Sequence, residues 1–247
     1  PSYAGFGCGD MDAYVQALCK EIRLKAFEKS KISQSGTIFF GGGTPSILSI
    51  GNIKTIVEAL KANGFWQNPR EATIEVNPGT ADFEKLKALR ELGFDRISFG
   101  VQSLNDAELK AIGRIHNAKQ ALEAIGMAKD AGFKRINADI MYGLPLQTLE
   151  SLRKTLETIS ATGIEHISAY SLILEEGTPL EKLVDAGKLT LPSEDETADM
   201  YDFVQGFLAS HGYKRYEVSN YARNQGESEH NKVYWAYHPY LAFGAAA

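Results

Sequence analysis

The polar residues that stand out in this chain lie inside or at the ends of apolar runs. Glu75 sits in Ala72-Thr73-Ile74-Glu75-Val76, Gln102 closes Arg96-Ile97-Ser98-Phe99-Gly100-Val101-Gln102, and Asp139 lies in Asn137-Ala138-Asp139-Ile140-Met141. A lone carboxylate on a strand is often a solvated edge or a satisfied core group, but several in successive units need partners once buried. Ionised carboxylates accept hydrogen bonds, so Glu75 and Asp139 suit hydroxyls or an ammonium group. Thr37-Ile38-Phe39-Phe40 runs into Gly41-Gly42-Gly43-Thr44-Pro45, where glycines let a ligand touch the backbone. The Lys-Ser/Thr ending of a phosphate-binding loop is absent, and a tight turn entering a helix at Pro45 explains the same residues. Arg114, in Ile112-Gly113-Arg114-Ile115-His116, has the planar fork that clamps a carboxylate; taken alone it reads as a surface arginine. Together these residues describe a pocket for a small polar zwitterion carrying a sugar.

A second cluster is His230-Asn231-Lys232-Val233-Tyr234-Trp235. Imidazole ligates iron or zinc, and Tyr and Trp offer flat faces to a planar ligand. The plainer reading, which the residues alone favour, is a core aromatic pair beside a solvated histidine. His116, His166, His211 and His238 show no metal spacing with one another. The two cysteines, Cys8 and Cys19, are too sparse for a zinc or iron–sulfur site and suit a reducing cytoplasm. Cys19 belongs to the helical stripe Met11, Tyr14, Val15, Leu18, Cys19, Ile22 and is expected in the core. Cys8, in Gly5-Phe6-Gly7-Cys8-Gly9, reads as a loop residue.

The elements that must position these groups alternate. Helices are predicted over about 11–30, 50–63, 118–131 and 149–162, with another after Thr80, which is read as its cap, carrying Leu86, Leu89 and Leu92. Asn105 with Glu108 and Ser193 with Glu196 have capping-box spacing. Strands are predicted to start near 37, 72, 96, 135 and 166, the last running to Leu174, and steps of about 24–39 residues are the size of a crossover unit. Strands this apolar between helices imply a parallel sheet covered on both faces or curled into a barrel. Ligands of such folds bind at the carboxyl ends of the strands. Beyond Leu174 the rhythm breaks into short helices and an aromatic-rich tail that reads as a β-containing appendage.

Length and charge narrow the class. The chain has 247 residues, with 44% apolar and 23% charged, ordinary globular values that exclude disorder and collagen. The net charge of −5, from 26 basic and 31 acidic residues, disfavours a nucleic-acid partner. No apolar run is long enough for a membrane helix and no secretory signal is visible.

Five motifs in order and spacing resemble the radical S-adenosylmethionine (SAM) family, in its oxygen-independent coproporphyrinogen III oxidase-like group. They are Gly41-Gly42-Gly43-Thr44-Pro45-Ser46, Glu75-Val76-Asn77-Pro78, Phe99-Gly100-Val101-Gln102-Ser103, Gly113-Arg114-Ile115-His116 and Asp139-Ile140-Met141-Tyr142-Gly143-Leu144-Pro145. His230-Asn231-x-x-Tyr234-Trp235 resembles the HNxxYW signature of the HemW-type haem chaperones within that group. The resemblance implies an α/β fold, a partial (β/α)6 barrel over residues 1–175 with a C-terminal α+β extension over 176–247. It implies that Gly42, Gly43, Thr44, Glu75, Gln102, Arg114 and Asp139 bind SAM, and that His230, Tyr234 and Trp235 bind haem. It also implies delivery of haem to haem proteins, membrane respiratory enzymes among them, by a cytoplasmic or membrane-associated protein able to form a homodimer. The alternative is coproporphyrinogen III oxidation. The family holds a 4Fe–4S cluster through CxxxCxxC, which this sequence lacks. Pro1-Ser2-Tyr3-Ala4-Gly5 resembles the family's segment just after the last cluster cysteine, so the first strand and cluster loop are expected to lie upstream. Leu146 departs from the family's usual glycine after Gly-Leu-Pro.

Overall fold

Five apolar runs form parallel strands; the central run Arg96–Gln102 is buried on both faces, as such runs require, while Thr37–Phe40 at the sheet edge is half-buried throughout. The computed structural model describes residues 8–31 and 36–245. Strands β1 (Thr37–Phe40), β2 (Glu71–Val76), β3 (Arg96–Gln102), β4 (Arg135–Tyr142) and β5 (His166–Ser171) lie side by side in chain order. Helices α1 (Cys8–Leu24), α2 (Ile50–Ala62), α3 (Phe83–Leu92), α4 (Asp106–Ala111), α5 (Ala118–Asp130) and α6 (Leu149–Ala161) precede and connect them. After α7 (Pro179–Asp185) and α8 (Glu194–Ser210), the short strands β6 (Lys214–Arg215) and β7 (Asn220–Ala222) continue the same sheet, with β7 antiparallel to β5. The last helix is α9 (Glu229–Trp235).

Alternation along the strands separates two faces. Ile74, Ile97, Phe99, Ile136, Ala138, Ile140 and Ile167 point to the helices and form the core with Ile53, Val57, Leu86, Leu89, Leu152 and Leu156. The opposite parity is polar. Glu75 sits beside Ser98, Ser98 beside Asn137, and Asp139 beside Ser168. The sheet curls around this polar face: Arg135 of β4 reaches Glu71 of β2 at 2.7 Å, and Tyr170 of β5 donates its hydroxyl to Gln102 of β3 at 3.1 Å. The result is a partial barrel with a polar lumen.

Several local expectations change. The first helix ends at Leu24 and a 3₁₀ turn, Ala26–Lys31, follows. Cys8 opens α1 instead of lying in a loop, while Pro1–Gly5 lie outside the described residues. Asp82, not Thr80, caps α3, accepting from the Lys85 N–H; the Thr80 hydroxyl instead donates to the Asn77 carbonyl at 2.7 Å. Asn105 does cap α4, but Glu108 is fully buried and accepts from Ser103 and Ser151 instead of closing a box. The capping box of Ser193 and Glu196 is present. No helix among the described residues is long and apolar enough to cross a membrane.

Candidate functional site

The carboxyl ends of the strands converge on a cavity of about 380 Å3. Gly42, Gly43, Thr44, Glu75, Gln102, Arg114 and Asp139 all line it, with Asn77, Ser98, Gly100 and Tyr170. Thr44 and Arg114 come from loops and are set by Asn77, which donates to Thr44 Oγ1 at 3.2 Å and accepts from Arg114 Nη1 at 3.3 Å. Gln102 reaches the cavity through a bulge: the β3–β4 register shifts between Phe99 and Gln102, and Gln102 has φ of +67°. A non-glycine residue held there is strained, which is common where a side chain is re-aimed at a site.

Two glycines of the loop have different reasons. A Cβ at Gly41 would collide with the Phe39 ring and crowd the Glu75 carboxyl, so close packing demands glycine. A Cβ at Gly43 would meet nothing within 4 Å, and its φ is unremarkable. Nothing in the protein requires glycine at 43; the space in front of it belongs to the cavity.

The carboxyls share a proton-holding environment. Glu75 accepts from the Gly42 N–H at 3.2 Å; burial, then the nearby Asp139, push its pKa up to about 7. Burial also raises Asp139, although Asn137 donates to it at 2.6 Å. Two close acids in low dielectric cannot both ionise cheaply. Burial lowers the Arg114 pKa, but a guanidinium stays charged. A fixed cation, two carboxyls, a carboxamide and open backbone fit a zwitterion with hydroxyls.

At the other end of the lumen lies α9. His230 is buried, 9% exposed, whereas Tyr234 and Trp235 are 46% and 54% exposed. The plainer reading is therefore reversed: the histidine is inside and the aromatic pair faces out. His230 stacks on Phe39 with centroids 4.9 Å apart. Its Nδ1 lies 2.7 Å from Thr37 Oγ1 and its Nε2 3.0 Å from the Tyr234 hydroxyl. Burial lowers its pKa, so the ring is neutral. Glu71, fully buried, accepts from the Ser228 hydroxyl at 3.0 Å and from the Glu229 and His230 N–H groups at 2.9 and 3.1 Å. A carboxylate at a helix N-terminus is favoured by the helix dipole.

Residues 16–159, more than half of the chain, match the radical SAM superfamily. The chain belongs to that superfamily. Radical SAM relatives include HemW haem chaperones of Lactococcus lactis, 39% identical over 96% of this chain, and Bacillus subtilis, also 39% over 96%. The chain spans 61% and 62% of those two proteins. Among solved structures, the Escherichia coli radical SAM enzyme HemN, a coproporphyrinogen III oxidase, aligns with a TM-score of 0.76 and 28% identity, covering 88% of this chain and 50% of that one.

Radical SAM proteins use SAM with a 4Fe–4S cluster. The described residues do not fit the cluster: no group of three His, Cys, Asp or Glu side chains among them could hold a metal ion. Cys19 is 2% exposed, its Sγ 3.8 Å from the Thr55 carbonyl of α2, and burial raises its pKa.

Sequence reading missed Asn77, Tyr170, Glu71 and Arg96 as site residues. Asn77 looked like the end of a strand. Tyr170 shares its parity with Ser168 and His166, which places it on the lumen face; that signal was available. Glu71 and Arg96 open strands, where a charged residue usually marks a solvated edge.

Proposed function

We propose that this chain binds SAM at the carboxyl ends of its strands, carries haem on α9, and belongs to a protein that delivers haem to haem proteins. The observation that carries the haem assignment is α9: a helix fixed at its N-terminus by a buried carboxylate, presenting exposed Tyr234 and Trp235 over a neutral His230. Aromatic faces suit a porphyrin plane. His230 offers Nε2 as a ligand nitrogen behind Tyr234, whose hydroxyl holds it at 3.0 Å and whose ring packs edge-on against Tyr240, so haem ligation by His230 requires Tyr234 to give up that hydrogen bond. The HemW relatives are named as haem chaperones, which supports haem as cargo.

The described residues offer no ligands for a cluster that would reduce SAM. The residues here do the binding work. Gly42 and Gly43 leave backbone open to the methionyl end, Arg114 clamps its carboxylate with Asn77 and Thr44 behind it, and Glu75, Gln102 and Asp139 take the ammonium and hydroxyl groups. Burial holds the Glu75 and Asp139 carboxyls towards their neutral forms, and a bound cation favours their ionised forms.

The second reading, oxidative decarboxylation of coproporphyrinogen III, rests on the likeness to HemN. One experiment separates the two. The haem-loaded protein is mixed with apomyoglobin and the Soret band followed, while coproporphyrinogen turnover is assayed anaerobically with SAM and reductant. Haem transfer without turnover supports the carrier; turnover without transfer supports the oxidase.

A further inference from the structure

The lower half of the lumen holds a charge without a direct partner. Arg96 opens β3 and is 3% exposed. Among the described residues its guanidinium makes no hydrogen bond and no ion pair. It lines a cavity of about 340 Å3 that continues below the SAM cavity and shares Glu75, Ser98, Asp139 and Tyr170 with it. A guanidinium presents five donors and cannot shed its proton, and a buried charge persists only when compensated.

The acids nearby do not supply that compensation by contact. Glu71 attracts Arg96 electrostatically, but its oxygens already serve Arg135, Ser228 and two N–H groups of α9. Glu75 and Asp139 lie at the upper end of the cavity and are held towards their neutral forms. Arg135 is already paired, with Glu71 at 2.7 Å and Asp95 at 3.3 Å, so Arg96 is the cation of the cavity lining that no carboxylate among the described residues contacts.

Neutral donors surround the same space. Asn220 accepts the Ser168 hydroxyl through Oδ1 at 2.6 Å, leaving its amide N–H groups without a protein partner among the described residues. Asn231 reaches the Tyr216 hydroxyl only at 3.4 Å, and Ser219 completes the wall.

We propose that the lower lumen is a carboxylate-binding site, with Arg96 as its charge partner and the amides of Asn220 and Asn231 as its neutral donors. Two sources carry that chemistry. One is a propionate of haem held on α9, since Asn231 follows His230 and lines the cavity. The other is a free small carboxylate. The first source rests on the haem-carrier reading; the second does not.

The test compares wild type, Arg96→Gln and Asn220→Asp. The first variant removes the charge. The second keeps Arg96 but places a carboxylate of the chain itself in the wall of the cavity that Arg96 lines, so that the site is blocked without removing the buried cation. Haem and haem dimethyl ester are titrated by the Soret band, and succinate is titrated by the shift in melting temperature. If a propionate occupies the site, wild type binds the diester about tenfold or more weakly than haem, the size expected for losing a charged hydrogen bond. That ratio falls to about one in either variant. If a free carboxylate occupies it, the haem ratio is near one, and succinate raises the wild-type melting temperature but not that of the variants. An ester penalty that persists in the folded variants, or a ratio near one with no succinate effect, overturns the proposal. Failure of haem to bind at all overturns the haem-carrier reading and the propionate source, and the succinate arm then decides the site.

Discussion

Glu71, at the first residue of β2, accepts the main-chain N–H of His230, at the second residue of α9, at 3.1 Å. The two residues are 159 apart in the chain. This bond, with that from Glu229 and the 2.7 Å ion pair to Arg135, makes one buried carboxylate the anchor of the helix that presents Tyr234 and Trp235.

Removing the anchor should be costly. Glu71→Ala leaves the Ser228 hydroxyl and two helix N–H groups without their acceptor and takes from Arg135 the nearer of its two carboxylates, and breaking a buried pair costs about 3–5 kcal/mol. Urea unfolding should show that loss, and the fluorescence of Trp235 should report a displaced α9. Glu71→Ala with wild-type stability would show the anchor to be dispensable.

The same carboxylate sets an acid limit. Burial pushes the Glu71 pKa up, but Arg96, Arg135 and the α9 N–H groups outweigh it and hold it below the ordinary 4.5. A depressed carboxyl contributes stability that is present above its unfolded pKa and lost as pH falls through its folded pKa. Stability measured from pH 5 downward should therefore fall less steeply in Glu71→Gln than in wild type. Parallel curves would remove Glu71 from the acid transition.

Gly43 tests the ligand side of the upper cavity. With no atom within 4 Å of a Cβ there, Gly43→Val should fold with an unchanged melting temperature. It should weaken SAM about tenfold or more, because the added methyls occupy the ligand's place and expose it to overpacking of about 1–3 kcal/mol. Equal SAM affinity in calorimetry would move the methionyl end away from this loop.

Glu75 should make SAM binding release protons. With its pKa near 7, the side chain is mostly protonated at pH 6, and a cationic ligand favours the ionised form. Calorimetry at pH 6 in two buffers of different ionisation heat should show net proton release, which shrinks by pH 8 as Glu75 ionises beforehand. Glu75→Gln should abolish the buffer dependence; its persistence would assign the proton to another group.

The sheet was legible because parallel strands buried on both faces read as apolar runs, and Glu75 and Asp139 interrupt such runs visibly. The upper cavity followed, since every strand delivers its carboxyl end to one place. The lower lumen was not legible. Glu71 precedes one apolar run and Arg96 opens another, positions that carry no sign of burial in the sequence, and α9 with its cap supplies Glu71 with donors 157–159 residues away. His230 was misjudged for the same reason. Its burial depends on Thr37 and Phe39 of β1, which helical periodicity within a seven-residue segment cannot reveal. Asp82 displaced Thr80 as a cap because the Thr80 hydroxyl is spent on the Asn77 turn, a competition between two local bonds that composition does not rank.

The central claim is that α9 carries haem, and an anaerobic haem titration of wild type beside His230→Ala tests it most directly. The substitution removes the ring but leaves the backbone N–H on Glu71, so α9 stays anchored and circular dichroism should be unchanged. A haem carrier of this design gives saturable one-to-one binding in the Soret band, weakened about tenfold or more in His230→Ala, the effect of losing one strong polar contact. Equal affinity in the two proteins, or no saturable binding in wild type, would contradict it.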